Sequence, residues 1–176
     1  MTSFIASACR SPVAPRGGGL SAMALHELAA PVIRAALRGA GLSPQDVDEV
    51  ILSNALGGGG NPARIAALAA GLPEHVAGLS TDRQCAGGLD AILLAAMMVQ
   101  SGHADVVLAG GAESYSRRPL RLRTFADGRA PEPYDQAPFT PWPDRDPEMA
   151  LAAAELARSQ GISRMAQDDW AVASHA

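Results

Sequence analysis

The chain has 176 residues, which is enough for one domain with a substantial core or for part of a larger protein. Its net charge of −4 argues against nucleic acid as the default partner, and all 14 basic residues are arginine, which excludes Schiff-base chemistry on lysine and the phosphate-loop lysine. The two cysteines do not make a disulfide framework. We find neither a signal-peptide pattern nor an apolar run long enough for a membrane span, so we expect a cytoplasmic protein.

The first third of the sequence predicts a strand, a helix and a second strand. Residues 4–9 are apolar and strand-like, and they are expected to bury Cys9 as a small hydrophobic residue. Ser21 is the expected N-cap of a helix whose apolar residues recur at helical spacing. Ser43 and the proline after it begin one helical turn, and residues 50–54 are expected to form a buried strand.

Strands and helices continue to alternate through the middle of the chain. A glycine loop at residues 57–60 leads to Asn61, which is expected to cap a helix with proline at its first position. Strands are expected around residues 76–81 and 104–111, with a helix over residues 86–99 between them. This alternation predicts an α/β fold with a mixed, largely parallel sheet.

The helix over residues 86–99 has almost no polar face, because Asp90 is the only charged residue in it. Such a helix must be covered on all sides, as in the middle layer of a multilayered fold. A chain of this length has little material for that purpose. We therefore expect a second half or a partner chain to cover the helix.

Cys85 lies at the junction between a predicted strand and this helix, and it is the candidate nucleophile. The unpaired N–H groups and partial positive charge of a helix N-terminus stabilise a thiolate over a thiol. Gly87 and Gly88 are expected to let a substrate or another chain approach the first helical turn closely. The alternative is a small buried hydrophobic residue, and the cysteine by itself does not separate the two interpretations.

Residues 117–147 contain more than half of the 13 prolines and predict a long, irregular excursion of the kind that covers a binding site. Arginine forks suit phosphates, which would fit a nucleotide-bearing substrate, whereas a solvated loop residue is the simpler explanation for any one arginine. Beyond the excursion, Asp146 is expected to cap one helix and Ser163 to begin the next. The candidate phosphate ligands are Arg117, Arg118, Arg121 and Arg123.

Several motifs in this order resemble the N-terminal half of a thiolase, an acyl-CoA C-acetyltransferase, and together they cover nearly the whole chain. They are Ser7-Ala-Cys-Arg-Ser-Pro, Asn61-Pro-Ala-Arg, the nucleophile segment Arg83-Gln-Cys-Ala-Gly-Gly-Leu-Asp-Ala, the strand and turn Asp105-Val-Val-Leu-Ala-Gly-Gly-Ala-Glu-Ser-Tyr-Ser, and the helical segment from Gly161 onward. The resemblance implies a thiolase-like α/β fold, with residues 1–176 as one half of a five-layered αβαβα arrangement.

The same resemblance implies a chemistry and its partners. It assigns Cys85 as the residue acylated by a coenzyme A thioester, with no metal and no redox cofactor. Coenzyme A would then be the nucleotide-bearing ligand of the arginines. It also implies a dimer with the strand before Cys85 near the interface, and a place in lipid metabolism.

Two departures from the family pattern stand out. Gly87 occupies a position where many members have serine, and we expect a mild effect of the lost hydroxyl. The family's C-terminal half supplies a Gly-His-Pro histidine and a second cysteine, and the sequence contains neither motif, so the chain by itself is expected to be incomplete as a catalyst, with the C-terminal domain outside it. The histidines of the chain are expected to be solvated surface residues: His26, His75, His103 and His175.

Two other interpretations stay open at this point. A ketoacyl-synthase-like condensing enzyme shares the fold and the cysteine, although its nucleophile segment reads differently. A noncatalytic half-thiolase acting as a binding or oligomerisation module is favoured by the missing histidine, while the intact nucleophile segment argues against it.

Overall fold

The computed structural model describes residues 2–176, and a parallel three-stranded sheet is the centre of its first compact unit, which extends to Pro119. The strands are β1 (Glu49–Ser53), β2 (Ala77–Thr81) and β3 (Val107–Gly111), in the order β2-β1-β3. Both pairings of β1 are parallel. The predicted parallel α/β sheet is therefore confirmed, and the strands predicted at residues 50–54, 76–81 and 104–111 lie within a few residues of the observed ones.

Helices cover both faces of this sheet. On one face α1 (Leu25–Ala40) and α2 (Pro62–Ala69) pack with Val50 and Leu52 in the main core. On the other face α3 (Gly87–Gln100) packs through Ala91 and Ala95 against Ile51. Successive residues of a strand point to opposite faces, which explains why Ile51 joins the second cluster and its two neighbours join the first.

The strand register brings three chain segments together at one edge of the sheet. Ser53 at the carboxyl end of β1 is paired with Thr81 of β2 on one side and with Gly111 of β3 on the other. Loops that leave the carboxyl ends of parallel strands commonly form ligand sites. The segment that carries Cys85 leaves this edge directly after β2.

The helix boundaries follow the sequence except at two N-caps. Ser21 is not an N-cap, because α1 begins after Ala24, whose N–H donates to the Glu27 carboxylate at 2.7 Å. Asn61 and Ser163 are the predicted caps and accept hydrogen bonds from the first turns of their helices. The predicted turn after Ser43 is also present, closed by a bond from its N–H to Asp46 at 2.7 Å.

The expectation of a strand at residues 4–9 with a buried Cys9 is wrong. This segment has no strand hydrogen bonding within residues 2–176, and Cys9 is exposed. The segment contacts α1 through Cys9, whose thiol donates to the Val32 carbonyl at 3.4 Å, and Ser3 just before it accepts a hydrogen bond from Gln100 of α3 at 3.0 Å. An apolar segment becomes a strand only when a neighbouring strand edge pairs with it, and none of the strands in the described residues pairs with this segment.

The second compact unit extends from Leu120 to Ala176. The predicted irregular excursion contains a short antiparallel ribbon of β4 (Arg121–Arg123) and β5 (Glu132–Tyr134). Helices α4 (Met149–Ser159) and α5 (Arg164–His175) follow. Asp146 is not the cap of α4: its carboxylate accepts the Phe139 N–H, and Glu148 caps the helix by accepting the Leu151 N–H at 2.8 Å.

Helix α3 carries the outward apolar face that the sequence indicated. Leu89, Leu93 and Met97 are 63%, 51% and 55% exposed, although α3 is the most uniformly apolar helix of the chain. A covering layer over this face therefore stays a prediction. Within residues 2–176, no helix combines the length and the apolarity needed to cross a bilayer.

Candidate active site

Cys85 lies in a single 3₁₀ turn, Gln84–Ala86, between β2 and the first residue of α3. The side chain is exposed, so a reagent or substrate can reach the sulfur. Gln84 has a left-handed backbone with φ of 49°, and its N–H donates to the Asp82 carboxylate at 2.8 Å. Left-handed non-glycine residues are strained and cluster at functional sites, which fits a turn that presents a reactive residue.

The turn is fastened to α3 by a backbone bond and a charge pair. The Gly87 N–H donates to the Gln84 carbonyl, which closes the turn around Cys85. Arg83 Nε lies 2.6 Å from the Asp90 carboxylate. The Arg83 side chain is 69% exposed, so this pair contributes at most about 1 kcal/mol to stability. Asp90, the one charged residue of α3, thus links the helix to Arg83, which directly precedes the turn that carries the cysteine.

Gly87 is buried against β1, so the space beside it is not open to an approaching molecule, which corrects one expectation for the paired glycines. A Cβ atom on Gly87 would lie 2.7 Å from Ser53 Cβ and closer still to Ser53 Oγ. A Cβ on Gly88 would meet nothing within 4 Å, so this position has the expected open space. The close approach at Gly87 is therefore made by the central strand.

Glu113 organises the neighbouring loop, and the sequence did not point to this role. Its carboxylate accepts hydrogen bonds from Asn54 Nδ2 at 2.9 Å, from the Ala55 N–H and from the Leu56 N–H at 3.3 Å. The turn after β1 is thereby folded around an acidic residue that follows β3. An acidic residue two positions after an apolar strand that ends in two glycines is the signal that could have indicated it.

Two of the four candidate phosphate ligands line a cavity of about 190 Å³ at the carboxyl edge of the sheet. Arg117 donates to the Ala22 carbonyl at 2.9 Å, and the Arg118 guanidinium lies over the Tyr115 ring, 4.6 Å from its centroid. Further residues of this wall are His26, Asn54, Glu113, Leu25, Leu56 and Pro119. Cys85 is not part of the lining, so the cavity and the nucleophile are separate features of the first unit.

The other two candidate arginines, Arg121 and Arg123, belong to β4 in the second unit. The Arg123 guanidinium lies 5.8 Å from the centroid of Tyr134 on the paired strand. The structure thus places the four arginines as two pairs in two units. A shared role in phosphate binding stays a prediction.

The histidines fall into two groups. The predicted surface position holds for three of them, which are exposed: His75, His103 and His175. His26 differs, because it is half-buried in the first turn of α1 and lines the cavity. The sequence placed it on a helix, but the fold of the loop after β1 over that helix was not predictable from local pattern.

These observations define a parallel α/β domain that presents an exposed cysteine on a strained strand-to-helix turn. The family described as thiolase, N-terminal domain, matches residues 3–176. The chain is 40% identical over 175 residues to the protein YhfS of Bacillus subtilis, covering 99% of this chain and 44% of that protein. It is 40% identical over 187 residues to the acetyl-CoA acetyltransferase of Cupriavidus necator, covering 97% and 45%.

A solved structure agrees with the sequence relatives. The acetyl-CoA acetyltransferase of Bacillus anthracis superposes with a TM-score of 0.85 at 38% identity, over 97% of this chain and 45% of that one. The chain belongs to the thiolase family and corresponds to its N-terminal domain. It spans less than half the length of these relatives. The thiolase-like fold is confirmed, and the match favours a thiolase over a ketoacyl synthase.

Proposed function

We propose that this chain is the nucleophile-bearing domain of a thiolase-type acyltransferase that uses coenzyme A thioesters. The observation that carries the proposal is the position of Cys85, exposed on the turn between β2 and α3. The proposal includes neither a metal nor a redox cofactor. The cytoplasmic location and the place in lipid metabolism expected from the sequence stay predictions.

In the proposed reaction the Cys85 thiolate attacks the thioester carbonyl carbon. A bond forms between Sγ and the acyl carbon, the bond from that carbon to the coenzyme A sulfur breaks, and coenzyme A leaves as a thiolate that takes up a proton. The acyl group then passes to a second acyl-CoA carbanion or returns to coenzyme A. Forming such a covalent intermediate divides one difficult transfer into two easier ones. Arg117, Arg118, Arg121 and Arg123 are the proposed candidates for holding coenzyme A phosphates.

The test is direct acylation of the 176-residue chain. The protein is incubated with acetyl-CoA, its intact mass is recorded, and the modified peptide is mapped. We expect one acetyl group on Cys85, released by hydroxylamine and lost in Cys85→Ser, whereas the control Cys9→Ser retains it. Acetylation of Cys9, or none at either cysteine, would contradict the proposal. Turnover of acetoacetyl-CoA is not expected from this chain alone, because the histidine and second cysteine of the family pattern are not in its sequence.

A second candidate function, an association module, is favoured by the exposed apolar face of α3. Leu89, Leu93 and Met97 form this face at helical spacing. Exposed apolar patches of this kind mark interfaces. The proposed occupant is a second α/β half that makes α3 a middle layer, within the same protein or in a partner chain. Light scattering of the parent and of Leu93→Glu tests this, and a monomeric parent that binds no apolar dye would contradict it.

A further inference from the structure

The contact between Ser53 and Gly87 joins the central strand to the turn that carries Cys85. Ser53 is 7% exposed, and Gly87 is buried. The space next to Gly87, where any other residue would place its side chain, is already filled by the Ser53 side chain. With serine at position 53, the contact therefore has room only for glycine at position 87.

Ser53 is held firmly on its own side of the contact. It is paired in register with Thr81 and Gly111 on the two neighbouring strands, and its carbonyl accepts the Ala112 N–H at 3.0 Å. A residue at the end of a central strand has neighbours on both sides, so its backbone is a fixed reference point. The turn that carries Cys85 is exposed and its bonds are local ones to Asp82 and α3, whereas Gly87 beside it is buried against the strand.

On the other side, Gly87 transmits the contact to the cysteine. Its N–H donates to the Gln84 carbonyl, and Cys85 is the middle residue of the turn that this bond closes. A shift of Gly87 away from β1 would move this bond and the first turn of α3 together. We propose that Ser53 is a positioning residue for Cys85, acting through its contact with Gly87. The assignment rests on the proposed function of Cys85 as nucleophile.

Graded substitutions at the two positions test the inference in a Cys9→Ser background, where only Cys85 can be labelled. In Gly87→Ala the new Cβ overlaps the Ser53 side chain. Adding Ser53→Ala leaves Ser53 Cβ at 2.7 Å, whereas adding Ser53→Gly leaves Cα as the nearest atom of residue 53, at 4.0 Å, which is ordinary contact. Gly88→Ala is the matched control, because its Cβ would meet nothing within 4 Å.

The readout is the second-order rate constant of iodoacetamide labelling of Cys85. It is measured under conditions in which circular dichroism shows that every variant is folded. We expect Gly87→Ala to slow labelling by about threefold, because a displaced turn weakens the stabilisation of the reactive thiolate by the backbone N–H groups at the start of α3. Ser53→Gly with Gly87→Ala should return to the parent rate, Ser53→Ala with Gly87→Ala should fall between, and Gly88→Ala should match the parent.

Three results would overturn the inference. The first is a labelling rate of Gly87→Ala equal to that of Gly88→Ala, and the second is a lower melting temperature of Gly87→Ala with an unchanged labelling rate. The third is a labelling rate of Gly87→Ala that does not recover when Ser53→Gly is added. If Gly87→Ala does not fold, recovery of folded protein by Ser53→Gly becomes the readout, with Ser53→Gly alone as reference. Labelling with iodoacetamide requires no coenzyme A. Failure of acylation at Cys85 would therefore overturn the proposed function, while the labelling rates of the variants would still test the contact between Ser53 and Gly87.

Discussion

Replacement of Asn61 should destabilise the protein strongly, because this one side chain joins the start of α2 to β2. Asn61 Oδ1 accepts the Arg64 N–H at 3.3 Å and the Ser80 hydroxyl at 2.8 Å. Its Nδ2 donates to the Gly78 carbonyl at 2.6 Å. The residue also has a left-handed backbone with φ of 55°, which asparagine tolerates better than other non-glycine residues.

The expected cost follows from these contacts. Three hydrogen bonds in a largely exposed setting, including an N-cap, contribute together about 2 kcal/mol to the free energy of unfolding. Alanine at a left-handed position costs about 1 kcal/mol more than asparagine. Asn61→Ala should therefore lose about 3 kcal/mol and Asn61→Gly about 2 kcal/mol, because glycine removes the hydrogen bonds without the backbone penalty.

Urea unfolding followed by circular dichroism measures these differences. Asn61→Asp is the matched variant, because it keeps an acceptor for Arg64 and Ser80 and loses only the donor to Gly78, so its cost should be about 1 kcal/mol. Equal stability of Asn61→Gly and the parent would show that the hydrogen bonds contribute nothing. Equal stability of the alanine and glycine variants would refute the backbone part of the reasoning.

Three further predictions concern other parts of the first unit. The Asp48 carboxylate accepts hydrogen bonds from the N–H groups of Val106 and Asp105, and these bonds lower the pKa of its carboxyl. Asp48 therefore stabilises the fold at pH values above the usual carboxyl pKa, and this stabilisation is lost as the pH falls through the lowered pKa. In urea unfolding, Asp48→Asn should cost about 1 kcal/mol at pH 7 and flatten this acid dependence. The Thr81 hydroxyl oxygen is buried without a hydrogen-bond partner in the described residues, so Thr81→Val should raise stability by about 1 kcal/mol, and a loss would contradict this. Gly78→Ala would place a Cβ 2.6 Å from the α2 backbone and should lower the melting temperature, with a cost of about 1–3 kcal/mol.

Local signals in the sequence were sufficient for most of the fold. Asn61 and Ser163 cap their helices as predicted, since a cap depends on side chains within one turn. The three parallel strands were recognisable because each is a short apolar run bounded by turn residues. Cys85 was placed at its strand–helix junction for the same reason.

The geometry around the cysteine was not predictable, because it depends on residues far apart in sequence. Gly87 contacts Ser53, which lies more than 30 residues earlier, and Glu113 folds a loop that follows a different strand. The wrong prediction of a strand at residues 4–9 has the same cause. Their composition suits a strand, but whether a neighbouring strand edge is available to pair with them depends on the whole fold. Pattern gives the residue type at a site, and tertiary contacts give its orientation.

Cys85 should react with iodoacetamide before Cys9, although both cysteines are exposed and burial does not separate them. The Cys9 thiol donates to the Val32 carbonyl, so this hydrogen bond must break before the sulfur reacts. Cys85 lies directly before α3, where the backbone N–H groups of the first helical turn stabilise a negatively charged thiolate on its side chain. Limited labelling of the folded protein with peptide mapping measures the order, and Val32→Ala, which keeps the carbonyl, is the control for packing around Cys9. Preferential labelling of Cys9 would remove the physical basis for Cys85 as the nucleophile.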